Sequence, residues 1–304
     1  MIELIKKFSI FYPIRGKNEE KFLNYLTGEV LKDISFELQK FKNKIPKGKI
    51  KANVKVNLEN SGLKSGKIEN KNIVNSIYYE DNKPNINFNP YCKEISLPSF
   101  YNAPSVAIAR KDLNKILEED VKIKVKVLKE RFRSANILIG NLKNPEFLIF
   151  SHFDTVLNGA VDNSSGIAVI ISLIKEHPEL LKNNLFILSG SEELSFENPY
   201  WGYGYRVFEK EYEDLIFSSK RILVVDSVGF TISKIFKNRE ILWLAFPIRN
   251  FEKILNKTFL LSSIFSEEKL KEYYTFYHSN LDTVKNLKEE FLLQAKRILK
   301  KFLV

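Results

Sequence analysis

The sequence has one cysteine, Cys92, in 304 residues, which excludes a disulfide framework and any cysteine-rich zinc site. It has no clean leader: the opening MIELIKKFSIFYPIRG carries lysines inside its only apolar stretch, so no signal-peptide core forms. Long apolar runs are missing too. The longest internal one, 167–174, falls far short of the roughly 20 residues that span a bilayer. These absences lead us to expect a cytoplasmic protein with no membrane partner. The formal charge of +11 raises the question of nucleic acid. Its lysines, however, are scattered and interleaved with glutamate, as in NEEKFLNYLTGEVLKD, and no aromatic–basic cluster or recognition-helix motif accompanies them. A solvated surface is expected and nucleic acid is not.

What is present suits a sizeable core: 44% of residues are hydrophobic and 13% aromatic, enough for one large domain or a domain with an insertion. Leu23, Leu26, Val30, Ile34, Leu38 and Phe41 recur at steps of three or four, which predicts an amphipathic helix over about 19–41, closed by Pro46 and Gly48. From 49 to about 128 the pattern turns to short strands and turns, crowded with Pro84, Pro90, Pro98 and Pro104. There Val121, Ile123, Val125 and Val127 alternate with lysines, predicting a half-exposed strand whose charges discourage edge pairing. From 135 onward the order is βαβα. Continuous apolar runs at 136–139, 147–150, 185–188 and 222–225 suit strands covered on both faces. Ile167, Ile170, Ile171 and Ile174 mark a helix introduced by Asn163 and Ser164, and a last helix is expected over about 285–302. The fold class is therefore α/β, with residues 1–48 and 129–304 forming one domain and 49–128 a β-rich insertion.

The chemistry-bearing residues gather just beyond the core elements. His152 and Asp154 follow the run FLIF, Asp162 opens the isoleucine helix, Glu192 and Glu193 follow LFIL, and Asp226 follows ILVV. In open parallel sheets, ligands bind beyond the carboxyl ends of the strands. Two divalent ions about 3.5–4 Å apart need a bridging carboxylate and terminal N or O ligands, which zinc accepts readily. A further carboxylate must take a proton from water and return it to the leaving group. The Glu192–Glu193 pair can divide those duties, because neighbouring side chains point in different directions. The bland readings weigh against each residue singly: a lone histidine usually packs, a Glu-Glu pair is commonly a solvated face, and Asp226 could end a turn. His177, before Pro178 and with nothing acidic at ligand spacing, keeps the surface reading.

The segments SHFDTV (151–156), GAVDNSSG (159–166), SEEL (191–194), VVDSVG (224–229) and YHSNLDT (277–283) resemble, in order, those of the di-zinc aminopeptidase family. That family includes bacterial leucyl aminopeptidases and, more distantly, glutamate carboxypeptidase and glutaminyl cyclase. The resemblance implies a phosphorylase/hydrolase-like three-layer sandwich with a mixed central sheet. It gives His152 and Asp226 to one zinc, Glu193 and His278 to a second, and Asp162 as the bridge, with cobalt or manganese as possible substitutes. Glu192 would be the general base, Asp154 the carboxylate that orients the site, and Asp282 a support near His278. NAPSVAIARKDLNKIL (102–117) is similar to the end of a protease-associated domain.

The implied activity is removal of N-terminal residues from peptide substrates. A glutaminyl-cyclase-like acyltransferase with one zinc, and a non-catalytic binding protein, are the alternatives. The aromatic segment 198–205 departs from the family pattern. Its rings, like Tyr273, Tyr274 and Tyr277, are expected in the core or along an apolar side-chain pocket. Side-chain preference and oligomeric state are not legible.

Overall fold

A computed structural model describes residues 1–69, 72–78 and 82–304. Its main sheet has eight strands. The path runs β1 (Glu37–Ala52), β7 (Ile123–Gly140), β9 (Asn184–Ser189), β8 (Phe147–His152), β10 (Arg221–Val225), β12 (Thr258–Ser262) and β11 (Lys234–Phe236), with β3 (Gly66–Ile68) also on β7. β9, β8, β10 and β12 are mutually parallel, while β1, β7, β3 and β11 pair antiparallel. The sheet is mixed, as expected.

Alternation along the central strands explains the layers. Leu148 and Phe150 face one side with Leu185, Ile187, Ile222 and Val224; Ile149 faces the other with Phe186, Leu188, Leu223 and Val225. Helices lie in chain order at α1 (Ile2–Phe8), α2 (Lys17–Tyr25), α3 (Leu113–Glu118), α4 (Ser165–Glu176), α5 (Tyr203–Glu211), α6 (Glu213–Ser218), α7 (Arg239–Ala245), α8 (Phe251–Ile254), α9 (Glu267–Tyr274) and α10 (Glu289–Leu303). α1, α2, α4 and α10 cover the Ile149 face, and α5 to α8 cover the Phe150 face. α4 is buried almost all round, which is why its apolar residues do not form a simple stripe. Asn163, rather than Ser164, caps it: the Asn163 Oδ1 accepts from the Gly166 amide at 3.2 Å.

Two expectations fail. The helix predicted to Phe41 gives way after Val30, and Leu38 and Phe41 lie in β1. The inward face of that strand is partly polar, so its period of two is masked. Gln39 donates to Glu211 and the Val207 carbonyl, and Asn43 to the Leu194 carbonyl. The lysine-striped strand is also not an edge. Its buried Ile123 and Val125 alternate with exposed Lys124 and Lys126 as predicted, but β1 and β3 pair with it on both sides.

The limits drawn at 48 and 128 fall inside the continuous β1–β7 ladder. Between those strands lie a second sheet, β2 (Glu59–Asn60), β6 (Ser105–Ala107), β5 (Asn85–Phe88) and β4 (Ile73–Asn75), and a separate apolar cluster around Ile86, Val106 and Ile123. Cys92 is fully buried there.

Phe150 meets Tyr205, Phe208 and Phe246 edge-on or tilted. Phe150→Ala should cost about 3–5 kcal/mol in urea denaturation, the range for emptying a packed aromatic site. A loss under about 1 kcal/mol would contradict this placement.

Candidate metal centre

The site forms where the parallel strands end. His152 is the last residue of β8, Asp226 follows β10 directly, and Glu192 and Glu193 lie just past β9. Asp162 sits in the turn before α4, and His278 in the loop after α9. His152, Asp162 and Asp226 form one ligand group, and Asp162, Glu193 and His278 a second. Asp162 belongs to both. Its Oδ1 is 3.2 Å from the His152 Nε2, and its Oδ2 is 3.3 Å from the His278 Nε2. The His278 Nε2 is 2.8 Å from a Glu193 oxygen, and the His152 Nε2 3.9 Å from an Asp226 oxygen. All five ligands expected from the sequence are thus brought together.

The surroundings fix which nitrogen faces inward. The Nδ1 of His152 lies 3.1 Å from the Asp154 carbonyl, and the Nδ1 of His278 is 3.0 Å from the Leu97 carbonyl. A carbonyl only accepts, so in each neutral ring the proton is on Nδ1 and the Nε2 lone pair points into the site. Asp154 does more than accompany His152. Its two oxygens accept from the amides of Glu192 and Glu193, both at 2.9 Å, so it sets the backbone that delivers the pair. Asp282 accepts from the amides of Val161 and Asp162 at 2.8 and 3.0 Å, fixing the turn that carries the shared carboxylate.

Several partners were not legible in the sequence. The Tyr273 hydroxyl donates to the Asp162 Oδ2 at 2.6 Å, and the Tyr277 ring stacks on the His278 ring at 3.7 Å. Buried Glu19, from α2, accepts from the hydroxyls of Ser134 and Ser191, and so braces the left-handed Ser191 (φ 56) before the glutamate pair. The 49–128 segment holds the His278 loop. The Leu97 amide donates to the His278 carbonyl while its own carbonyl accepts from the His278 Nδ1, Ser96 donates to the Tyr277 carbonyl, and Asn89 to the Tyr274 carbonyl. That clamp maintains His278 at φ 46, a conformation that costs energy in a non-glycine residue.

The aromatic segment 198–205 is spent on support. Tyr205 is wholly buried, Trp201 bonds the Leu244 carbonyl, and the amides of Gly202 and Gly204 donate to the carbonyls of Glu192 and Ser191. His177 joins neither ligand group and pairs with Glu179 at the surface. An open groove of about 610 Å³ lies along the β1–β7 ribbon between Lys42, Lys44, Arg131 and Arg133, and none of the ligands lines it.

Cations fit this centre. Glu192 Oε1 and Glu193 Oε1 are buried without a hydrogen-bond partner among the described residues, a state that costs energy unless something else satisfies it. The charges agree. Burial raises Glu193 to about 7, and burial together with the Asp162 charge raises Asp226 to about 6. Burial holds Glu192 well above the usual carboxylate range. Burial would pull His278 down, but the Glu193 and Asp162 carboxylates override it and push the ring up to about 10. Asp162 is drawn well below its ordinary value, the imidazoles outweighing its burial.

The fold is that of zinc aminopeptidases. The chain superposes on BSAP, a zinc aminopeptidase from Bacillus subtilis, with a TM-score of 0.71 at 15% identity, covering 98% of this chain and 92% of that one. An aminopeptidase from Aneurinibacillus sp. strain AM-1 matches with a TM-score of 0.60 at 18% identity, covering 98% and 91%. A glutaminyl cyclase from Porphyromonas gingivalis matches with 0.54 at 12% identity, covering 99% and 95%. No protein-family model matches the sequence, and no curated protein matches it. No helix among the described residues is long and apolar enough to cross a membrane.

A pH dependence follows for the metal-free protein. Glu193 and Asp226 have folded pKa values of about 7 and about 6, above the ordinary carboxylate range. Their contribution to stability is full below the ordinary range and is lost as pH rises through those values. The His278 contribution is full below the ordinary histidine value of 6.5 and falls in the same direction above it, towards its folded value of about 10. Zinc held by the deprotonated ligands would oppose the loss. In differential scanning fluorimetry, the Tm of chelated protein should fall between about pH 5 and 7.5, and the gain on adding zinc should widen. A zinc-independent Tm across that range would contradict the assignment.

Proposed function

We propose that this chain is a two-zinc exopeptidase of the di-zinc aminopeptidase family that removes N-terminal residues from peptides. The sharing of Asp162 between two histidine–carboxylate groups carries the reading, because one carboxylate facing two imidazoles suits a pair of ions. His152 and Asp226 would hold one zinc, Glu193 and His278 the other, and Asp162 both; cobalt or manganese suits the same donors. Zinc bound there polarises a carbonyl and lowers the pKa of a coordinated water.

The remaining work falls to the chain. Glu192 is buried, belongs to neither ligand group, and has an oxygen without a partner. It is the general base that takes a proton from the attacking water and delivers it to the departing amine. Burial raises its pKa, which suits a group that must both accept and return a proton. Asp154 keeps that carboxylate in place through the Glu192 amide. Tyr273 and Asp282 hold Asp162, so the shared ligand does not swing during turnover.

A glutaminyl-cyclase-like acyltransferase is the second reading, favoured by the shared fold. The doubled ligand set argues for two ions over the one that reading requires.

A panel of aminoacyl-coumarin substrates should be cleaved with zinc supplied, and chelation should abolish the activity. Glu192→Gln should retain its metal while kcat falls by about 10²–10⁴, the usual contribution of a general base. Unchanged turnover in that variant would remove Glu192 from the role. Cyclisation of N-terminal glutamine without any peptide cleavage would favour the acyltransferase.

A further inference from the structure

The segment Tyr12 to Lys17 lies across the loops that build the metal centre. The Tyr12 hydroxyl donates to the Ser164 Oγ at 2.8 Å, two residues beyond Asp162. The Ile14 amide donates to the Thr155 Oγ1 and its carbonyl accepts from the Thr155 amide, both at 2.9 Å, one residue beyond Asp154. Gly16 packs against Glu130 so closely that a Cβ would collide with its carboxylate, and the Lys17 amide donates to the same group at 3.2 Å. Arg15 is fixed between these anchors.

Its side chain is partly buried and makes no hydrogen bond or ion pair among the described residues. Three carboxylates lie within electrostatic reach: Glu59, Glu130 and the ligand Glu193. None uses its donors. Glu130 is bound to Lys47 Nζ at 3.0 Å, Glu193 faces His278, and Glu59 is exposed. None of the Arg15 nitrogens is a buried unpartnered atom, so its donors reach solvent and are open to a ligand, and its planar fork matches a carboxylate with two parallel hydrogen bonds.

We propose that Arg15 is a carboxylate-binding residue of the active-site cleft, which selects substrates carrying a carboxylate close to the cleaved bond. The proposal rests on the exopeptidase reading and narrows its substrate class. The carboxylate has two possible sources: the free C-terminus of a very short peptide, or an acidic side chain.

Matched pairs separate the sources. Leu-Gly against Leu-Gly-amide tests the C-terminus, and Glu-coumarin against Gln-coumarin tests the side chain. At least one pair should favour its carboxylate member by at least about tenfold in kcat/KM, the scale of a charged hydrogen-bonded pair. Arg15→Ala should bring that ratio towards one through KM, and Arg15→Lys should keep part of it. Ratios near one for both pairs in the unaltered protein, or a ratio untouched by either substitution, would overturn the proposal. Calorimetric binding of both peptides to zinc-loaded Glu192→Gln protein gives a readout independent of turnover. There, an Arg15-dependent preference with no hydrolysis in the parent enzyme would count against the exopeptidase reading alone. Equal binding of the paired peptides would count against Arg15.

Discussion

The Asp162 carboxylate stands between two imidazoles, with one oxygen 3.2 Å from His152 and the other 3.3 Å from His278. Around it crowd Asp154, Glu192, Glu193, Asp226 and Asp282, all but Asp226 nearly excluded from solvent. Such a concentration of acids is tolerable only if protons or cations balance it, because buried like charges raise one another's pKa. Without metal, protons can supply part of that balance, since Glu193 is raised to about 7, Asp226 to about 6 and His278 to about 10. Divalent ions bound there would replace those protons with a charge that does not leave as pH rises. On the proposed reading, that exchange would turn these acids into ligands and leave Glu192, which belongs to neither ligand group, as the carboxylate available to move a proton.

Three separate parts of the chain hold that arrangement. The parallel strands present His152, the glutamate pair and Asp226 at one edge of the sheet. α2 and the segment before it brace the loops from the side, through Glu19 to Ser191 and through Ile14 to Thr155. The 49–128 segment reaches back to fix His278 through the Leu97 carbonyl. The β-rich segment is therefore part of the candidate centre, and its attachment through the long β1–β7 ladder gives it a firm base. Left-handed backbone at Ser191, Ser227 and His278 marks where these supports hold the chain in a costly conformation.

Much of this was legible in the sequence. His152, Asp162, Glu193 and Asp226 follow apolar runs or open a helix, so their meeting place follows from sheet topology, and Glu192 and Asp154 come with them. His278 required the family resemblance, since nothing local marks its loop. Tyr273, Glu19 and Leu97 were hidden for a different reason. Each acts on a residue more than a hundred positions away, and each is of a type that reads as ordinary helix or core. The first helix was overextended because β1 turns Gln39 and Asn43 inward, and hydrogen bonds there do the work that apolar contacts do elsewhere.

The central claim is that Asp162 is shared by two ions. Crystals grown with zinc and measured at the zinc absorption edge test it most directly. The account predicts two anomalous peaks flanking the Asp162 carboxylate, one against His152 and Asp226 and the other against His278 and Glu193. A single peak, or peaks that leave Asp162 unligated, would contradict it.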